Sequence, residues 1–151
     1  MNDLTSEPFR SYNYALRIGN DTQGYFTSIT GLEARIQPIS YREGGGTHVR
    51  KLRGRVDYAE VELWYGVSTS LDLWKWLENA LSDGTYKQNL TIALTDPQRR
   101  GREVRWNLYE AWPCRWRAQP LDGLASQVAI ESMTLAFDYL EREASEAGGA
   151  A

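Results

Sequence analysis

The sequence has few of the residues from which metal centres and nucleophilic active sites are built. Its 151 residues include one histidine, His48, and one cysteine, Cys114. A lone cysteine excludes an internal disulfide and favours a reducing compartment, while a structural zinc site needs about four Cys or His ligands. A catalytic triad would need His48 beside a nucleophile and a carboxylate, yet His48 lies in a glycine-rich segment that no strand or helix would hold in place. We therefore predict a protein that is not an enzyme and has neither metal nor cofactor.

Long apolar runs and a large excess of one charge are also missing. No apolar segment approaches the ~20 residues that span a bilayer, and residues 1–12 lack the apolar core of a secretory signal. We expect no membrane span and synthesis in the cytoplasm. The net charge of −3 creates no overall field that would attract a polyanion, so sequence-specific nucleic-acid binding is not expected.

Aromatic residues, by contrast, are abundant. They make up 12% of the chain and include six tryptophans and nine tyrosines, a composition that suits pleated, half-buried surfaces. A chain of this length falls in the usual range for one domain. We predict a single domain over residues 1–151 with a core at about 12–140, an N-terminal extension at 1–11 and a C-terminal extension at 141–151 that is frayed.

Polar and apolar residues alternate along much of the chain, which is typical of strands with one buried face. Residues 12–18 predict a strand before a turn at 19–21, and Pro38 makes the strand at 33–41 an edge or bulged strand. A strand at 56–65 has an irregularity near Ala59. Further strands are predicted at 24–30, 89–95, 103–116 and 127–140. The strands at 89–95 and 103–116 are expected to form a hairpin.

One segment has helical spacing. Thr69 and Asp72 fit a capping box at the start of a helix, and Gly84 is a stop signal. The apolar residues between them recur three or four apart: Leu73, Trp76, Leu77, Ala80 and Leu81. The pattern as a whole predicts a mainly β protein, a barrel or a sandwich, with one α-helix.

A glycine-rich, basic segment follows the third predicted strand. We predict a long, exposed loop from about residue 41 to residue 55, because Gly44, Gly45 and Gly46 interrupt the alternation. The spacing of these glycines does not match a phosphate-binding loop, so they are interpreted as a turn with unusual φ angles. The charged residues of the loop are Arg42, Arg50, Lys51, Arg53 and Arg55 against Glu43, a net charge of +4.

The C-terminal region has the opposite charge. Asp138, Glu141, Glu143 and Glu146 stand against Arg142, a net charge of −3. Solvated surface charge would explain both segments. The alternative is a head-to-tail contact in which the basic loop of one copy lies on the acidic face of the next, a contact that generates rings or filaments.

Two further readings remain open from the residues alone. Trp64 and Trp74 fall off the apolar faces of their elements and are candidate interface residues; the tryptophans could instead stack on sugar rings in a monomeric carbohydrate- or ligand-binding β-sandwich. A carboxylate pair among Glu60, Glu62 and Glu131 would suit a hydrolase, although carboxylates on strands more often form a solvated face.

The order of several short motifs resembles the inner-tube proteins of contractile phage tails and contractile injection systems. The resemblance spans about residues 12–140. Two departures are Arg53, where the family usually has proline, and the pair Trp64 and Tyr65, where a basic pair is common. The motifs are GYFTSITGLE at 24–33, YREGG at 41–45, KLRG at 51–54, LWYG at 63–66, AWP at 111–113 and VAIE at 128–131.

The resemblance implies a subunit of two packed antiparallel sheets with one flanking α-helix. It also implies hexameric rings stacked into a hollow tube, with a sheath around the tube, baseplate and cap proteins at its ends, and effector cargo in its lumen. Such a subunit is made in the cytoplasm and becomes part of a phage tail or of an injection particle, released or membrane-anchored. The loop at 41–55, His48 included, is then a contact between subunits or rings, with Asp138, Glu141 and Glu143 as its acidic counterpart.

Overall fold

The computed structural model describes residues 14–18, 21–66, 71–95, 103–118 and 130–145. These residues form one helix and ten strands, so the predicted mainly β fold with a single flanking helix is confirmed. The elements are β1 (Tyr14–Ile18), β2 (Asp21–Phe26), β3 (Ser28–Thr30), β4 (Ala34–Tyr41), β5 (Arg50–Tyr58), β6 (Val61–Gly66), α1 (Asp72–Leu81), β7 (Gln88–Thr95), β8 (Glu103–Ala118), β9 (Ile130–Ala136) and β10 (Tyr139–Ser145).

Eight strands form one curled antiparallel sheet, in the order β2–β1–β7–β8–β9–β6–β3, with β10 also paired to β8. The 16-residue strand β8 joins the two halves of this sheet. Residues 103–111 of β8 pair with β7, and residues 103–109 also pair with β10. Residues 112–118 pair with β9. One long strand therefore belongs to both layers, and the predicted hairpin of β7 and β8 is confirmed.

The sheet curls because its strands bend at the same level. Glu110 of β8 has φ 55°, and its N–H donates to Asn89 Oδ1 at 3.0 Å. Beside it the chain passes from β9 to β10, where the Asp138 N–H donates to the Tyr109 carbonyl at 2.9 Å. Such bends are how strands move from one layer of a β-sandwich to the other. The two layers then face each other across the core.

The core lies between the two layers and is closed by α1. Leu16, Ile92 and Leu108 come from one layer, and Leu63, Met133 and Leu135 come from the other; all six are fully buried. The rings of Phe26 and Tyr65 meet edge to face across the layers, with centroids 5.6 Å apart. Burying each large apolar side chain contributes about 1.5–3 kcal/mol to folding. The packed layers and the helix form what we call the body of the protein.

Helix α1 differs from the prediction at both ends. Its N-cap is Leu71, without a side-chain hydrogen bond; Thr69, the predicted cap, lies outside the described residues. Trp76 and Leu77 are buried as predicted, but Leu81, the last residue of the helix, is 74% exposed. The helix stops three residues before Gly84, and it is Asp83 that takes the left-handed conformation, with φ 58°.

Three strand predictions were wrong in detail. The predicted strand at 24–30 is interrupted at Thr27, which separates β2 from β3, and the one at 56–65 is divided between β5 and β6, which belong to different sheets. The last predicted strand ends at Ala136, while residues 127–129 lie outside the described ones. Residues 141–145 are not frayed, since they form most of β10 and pair with β8. Leu140 packs against the core while Glu141 and Glu143 are exposed, so the acidic composition concealed the strand.

Candidate assembly surface

The most exposed element of the molecule is the hairpin of β4 and β5. Among the described strands, these two pair only with each other, as a separate two-stranded sheet. Ala34 pairs with Tyr58 at the base of the hairpin, and Tyr41 pairs with Arg50 near its tip. Every residue of β4 is exposed. An isolated two-stranded sheet is marginally stable in water, so a surface that covered the hairpin would stabilise it.

A tight joint fixes the base of the hairpin to the body. The ring centroid of Tyr58 lies 5.9 Å from that of Phe137, and the Ala59 N–H donates to the Glu33 carbonyl at 3.2 Å. Gly31 has φ 90°, and a Cβ at this position would lie 2.2 Å from the Glu60 carbonyl oxygen. Only glycine fits such a position. The direction in which the hairpin projects therefore depends on Gly31.

The predicted loop at 41–55 is shorter than expected. Residues 42–49 connect the strands, whereas Arg50, Lys51, Arg53 and Arg55 lie on β5. The sequence concealed this strand because both faces of the hairpin are exposed, and alternation of apolar and polar residues requires one buried face. The predicted edge or bulged strand around Pro38 is confirmed, since the register of β4 and β5 shifts between Ile36 and Pro38.

The tip of the hairpin is a tight turn. The Gly46 N–H donates to the Glu43 carbonyl at 3.0 Å. Gly45, the third residue of this turn, has φ 89°, the conformation that type II turns require at that position. Of the three consecutive glycines it is the only one with a positive φ. Arg50 Nη1 lies 3.6 Å from Glu43 Oε1, and His48 is exposed on the far side of the turn.

The hairpin also concentrates exposed apolar side chains, which the sequence interpretation missed because it weighed the charges of this segment. Six of the ten exposed large apolar side chains in the described part of the chain lie here, each 39–52% exposed. The sequence did contain a signal for these exposed side chains, namely the recurrence of isoleucine, leucine and valine between arginines. These residues are Ile36, Ile39, Tyr41, Val49, Leu52 and Val56. Exposed patches of this kind mark sites of protein association.

The predicted acidic counterpart consists of two residues of β10 and of Asp138, which directly precedes this strand. Asp138, Glu141 and Glu143 are all exposed. Glu141 Oε2 accepts a hydrogen bond from the Tyr109 hydroxyl at 2.9 Å, which raises the pKa of Tyr109. Tyr139 stacks on Tyr109 with ring centroids 4.4 Å apart and remains 44% exposed. The strand thus presents an aromatic surface bordered by carboxylates.

Within one subunit the basic hairpin and the acidic strand do not neutralise each other. Among the described residues, the ion pairs of these two elements are Arg50 with Glu43 inside the hairpin and Glu143 with Arg105 inside the sheet, the latter at 4.0 Å. Among the described residues, the excess positive charge of the hairpin is therefore not neutralised by β10 of the same chain.

The two candidate interface tryptophans already contact their own chain. The Arg117 guanidinium lies 5.6 Å from the ring centroid of Trp64, a cation–π contact. Trp74 meets Trp116 edge to face at 5.0 Å, and its Nε1 donates to Glu78 at 2.8 Å. Trp74 nevertheless stays 38% exposed. The structure leaves Trp74 more accessible than Trp64, which is half-buried.

The suggested pair of Glu62 and Glu131 is not formed. Glu131 shares a face of β9 with the buried Met133, where its carboxylate accepts a hydrogen bond from Trp116 Nε1 at 3.2 Å. Burial and Glu131 together raise the pKa of Tyr65. Glu62 lies on the other face of the sheet, 3.4 Å from Arg117. Glu60 and Glu62 do line one open cavity of about 440 Å³ together with Cys114, whose thiol pKa is raised by burial.

The described residues contain neither a metal-binding cluster nor a membrane-spanning helix. Within residues 14–18, 21–66, 71–95, 103–118 and 130–145, no three or more His, Cys, Asp or Glu side chains are grouped so that they could hold a metal ion. In the same part of the chain, no helix is both long enough and apolar enough to cross a membrane.

Comparison with known sequences and structures identifies the fold. The model of the family described as T4-like virus tail tube protein gp19 matches residues 10–141. No curated protein sequence matches the chain. The predicted resemblance to tail tube proteins is thus confirmed by a match over most of the sequence.

Solved structures show the same fold. A chain in the cryo-EM structure of an extracellular contractile injection system, the PVC sheath–tube complex in its extended state, superposes with a TM-score of 0.78 at 24% identity, covering 93% of this chain and 94% of that chain. A chain in the cryo-EM structure of the anti-feeding prophage cap, a tube-terminating cap, gives 0.77 at 24% identity and covers 95% and 99%. Hcp1 from Flavobacterium johnsoniae gives 0.52 at 9% identity, covering 87% and 94%.

Proposed function

The chain belongs to the T4-like virus tail tube protein gp19 family, and on that premise we propose that it assembles with copies of itself into hexameric rings. The rings stack into the hollow inner tube of a contractile injection system or phage tail. The observation that carries this proposal is the family match over residues 10–141. The role of the subunit is structural and it catalyses no reaction.

The surface of the subunit supports self-assembly. The hairpin has exposed apolar side chains and a net positive charge, and β10 has exposed carboxylates around Tyr139. A contact between two different surfaces of identical subunits is heterologous and generates rings or filaments. In this proposal residues 42–55 of one copy contact a neighbouring subunit or ring. The contact includes Arg42, Glu43, Gly44 to Gly46, His48 and the basic side chains of β5. Asp138, Glu141 and Glu143 form the receiving surface.

The partners follow from the assemblies in which proteins of this fold have been solved. Those structures are a sheath–tube complex, a tube-terminating cap and a baseplate. We infer that this tube is surrounded by a sheath, that it ends in cap and baseplate proteins, and that contraction of the sheath drives the tube forward. Its lumen can hold effector cargo. The subunit acts within an assembled particle, whether released or attached to a membrane, and residues 1–151 fold as a single domain.

Negative-stain microscopy of the purified full chain, alone at high concentration and with its sheath protein, tests the proposal. We expect rings or tubes about 100 Å across, the size that six domains of this mass around a channel require. A subunit that stays monomeric at high concentration and in the presence of the sheath protein would contradict the proposal.

A further inference from the structure

The pairing register of the hairpin fixes which side chains share a face, because directly paired residues point to the same side of a sheet. Ile36 pairs with Val56 at the base. Nearer the tip, Ser40 pairs with Lys51 on that same face of β4, and Lys51 Nζ donates to Ser40 Oγ at 2.8 Å. The first face is therefore apolar at its base and polar toward its tip. We call Ile36 and Val56 the base patch.

The second face has the reverse arrangement. Arg35 pairs with Asp57 at the base, and both line a shallow cavity with Gln37 and Arg55. Toward the tip, Ile39 pairs with Leu52, and Tyr41 follows on the same face of β4. Ile39, Tyr41 and Leu52 form what we call the tip patch; each is 48–50% exposed.

A bulge on β5 produces this exchange. Between the pairs Ile36–Val56 and Pro38–Arg53, β4 advances by two residues and β5 by three. The extra residue of β5 reverses the side to which later residues point, so that Leu52 joins Ile39 and not Val56. Gly54 lies at this bulge, where a Cβ would be 2.5 Å from the Gln37 carbonyl oxygen. The close approach explains why glycine occupies the position.

From these two patches we propose that each hairpin is contacted by two different copies of this chain, one on each face. This inference rests on the proposed function. One copy packs on the base patch, which continues the apolar contact of Tyr58 with Phe137 at the body. The other packs on the tip patch. The tip patch lies at least three residues from the base patch along each strand, a distance of about 10 Å at ~3.3 Å per residue. A partner lying on one face of a two-stranded ribbon covers one patch only, so covering both requires two partners.

Charge indicates which surface receives the tip patch. Arg50 shares the face of Tyr41 and borders the tip patch, whereas Lys51 and Arg53 pair with Ser40 and Pro38 and point to the opposite face. On β10 the exposed ring of Tyr139 lies near the exposed carboxylates of Asp138 and Glu141, so this surface suits a patch that is apolar at its centre and basic at its rim. Apolar contact at the centre with charge pairing at the rim is the usual anatomy of a protein interface. The tip patch of one copy therefore lies on β10 of another.

Ile36 and Ile39 offer a matched pair of positions for a test. They are the same residue, three positions apart on one strand, almost equally exposed at 52% and 50%, and on opposite faces. In a Cys114→Ser background, Ile36→Cys, Ile39→Cys and the double variant are each labelled with a benzophenone maleimide. Traces of tagged, labelled subunit are then co-assembled with a large excess of unlabelled Cys114→Ser subunit and irradiated. Each tagged subunit is thus surrounded by copies that cannot themselves crosslink.

The number of chains in the tagged product decides the inference. We expect each single label to give products of two chains and the double label to give, in addition, products of three chains. Peptide mapping should place the Ile39→Cys crosslink on β10. A double label that gives only two-chain products in assembled rings or tubes overturns the inference while leaving the tube proposal intact. Failure of the Cys114→Ser subunit and the natural chain alike to form any assembly contradicts the tube proposal itself.

Incorporation is checked first, by sedimentation of the tagged subunit with the assemblies. Should a label exclude the subunit, Val56→Cys and Leu52→Cys provide a second pair at the cross-strand positions of the same two patches. Gln37→Cys, on the polar base of the second face, is the control for crosslinking that does not depend on a patch, and we expect at least fivefold less product from it.

Discussion

The body and the hairpin use the same apolar residue types in opposite ways. Leu108 in the body is fully buried, whereas Leu52 in the hairpin is 48% exposed. Each buried leucine stabilises the fold by about 1.5–3 kcal/mol, and a half-exposed one contributes only part of that until a partner covers it. The body therefore gains stability from apolar burial within one chain, whereas in the proposed tube the apolar surface of the hairpin would be covered by other chains.

The largest expected effect comes from truncating a leucine in each region. Leu108→Ala should lower the free energy of unfolding by about 2–5 kcal/mol, because it leaves a cavity in the core. Leu52→Ala should change it by less than about 0.5 kcal/mol. Urea denaturation of the subunit, at concentrations where it is monomeric, measures both. When equal amounts of folded subunit are compared by light scattering, Leu52→Ala should reduce assembly more than Leu108→Ala does. Equal losses of stability would mean that the hairpin packs on its own body in solution.

The next largest effect is expected at Gly31, where the base of the hairpin joins the body. Gly31→Ala forces a side chain into a left-handed conformation and against the Glu60 carbonyl, which we expect to cost about 1–3 kcal/mol. Gly44→Ala is the matched control, since nothing lies within 4 Å of the added methyl group. Thermal unfolding of the two variants checks this. A stable Gly31→Ala subunit would show that the joint can rearrange without loss.

Alkaline pH should weaken the body through a smaller effect. Burial, followed by the charge of Glu131 and the hydrogen bond to it, raises the pKa of Tyr65 above the value of about 10 in an unfolded chain. The unfolded state therefore loses this proton first. The contribution of Tyr65 is present in full below about pH 10 and is lost as the pH rises above it.

The urea midpoint of the natural chain should accordingly fall between pH 9 and pH 11, and Tyr65→Phe should flatten this fall. Tyr41→Phe, on the exposed hairpin, is the control for removing a tyrosine hydroxyl. A profile that Tyr65→Phe leaves unchanged would show that other groups cause the alkaline loss.

The smallest effect on subunit stability, and a large one on assembly, is expected from reversing charges on β5. Changing Arg50, Lys51 and Arg53 to glutamate should leave the free energy of unfolding within about 0.5 kcal/mol, because these side chains are exposed. Stacking into tubes should be lost, since a glutamate at position 50 would face the carboxylates of β10 and the other two would reverse the charge on the opposite face of the hairpin. The control reverses Lys75, Lys87 and Arg115, which are exposed on the body, for the same change in net charge. Unchanged tubes in the β5 variant would remove these residues from the interface.

Sequence patterns predicted the body better than the hairpin for a physical reason. The strands at 89–95 and 103–116 and the buried residues Trp76 and Leu77 were found because one face of each element is buried, which imposes a period on the sequence. β5 has no buried face in the subunit, so its residues 50–55 carry no such period and were interpreted as a loop. A strand without a buried face in its own chain is not constrained to alternate apolar and polar residues.

The two breaks of strand direction were missed for a different reason. Residues 56–65 and 127–140 each read as one alternating run, but the first divides between two sheets and the second between two layers. A change of sheet needs only a bend of one or two residues, which leaves the alternation on either side intact. Of the candidate site, the charges on the hairpin and on β10 could be read from the sequence. The exposed apolar patches could not, because exposure depends on where the hairpin projects.

The long strand β8 also determines how the subunit would respond to force. Its unbroken backbone runs through both layers over 16 residues, so the layers cannot shear past each other without straining a covalent chain. Its hydrogen bonds to β7, β9 and β10 would share such a load simultaneously. In the proposed tube, β8 would therefore resist deformation of each subunit, and the stiffness of the tube would depend on the contacts between subunits.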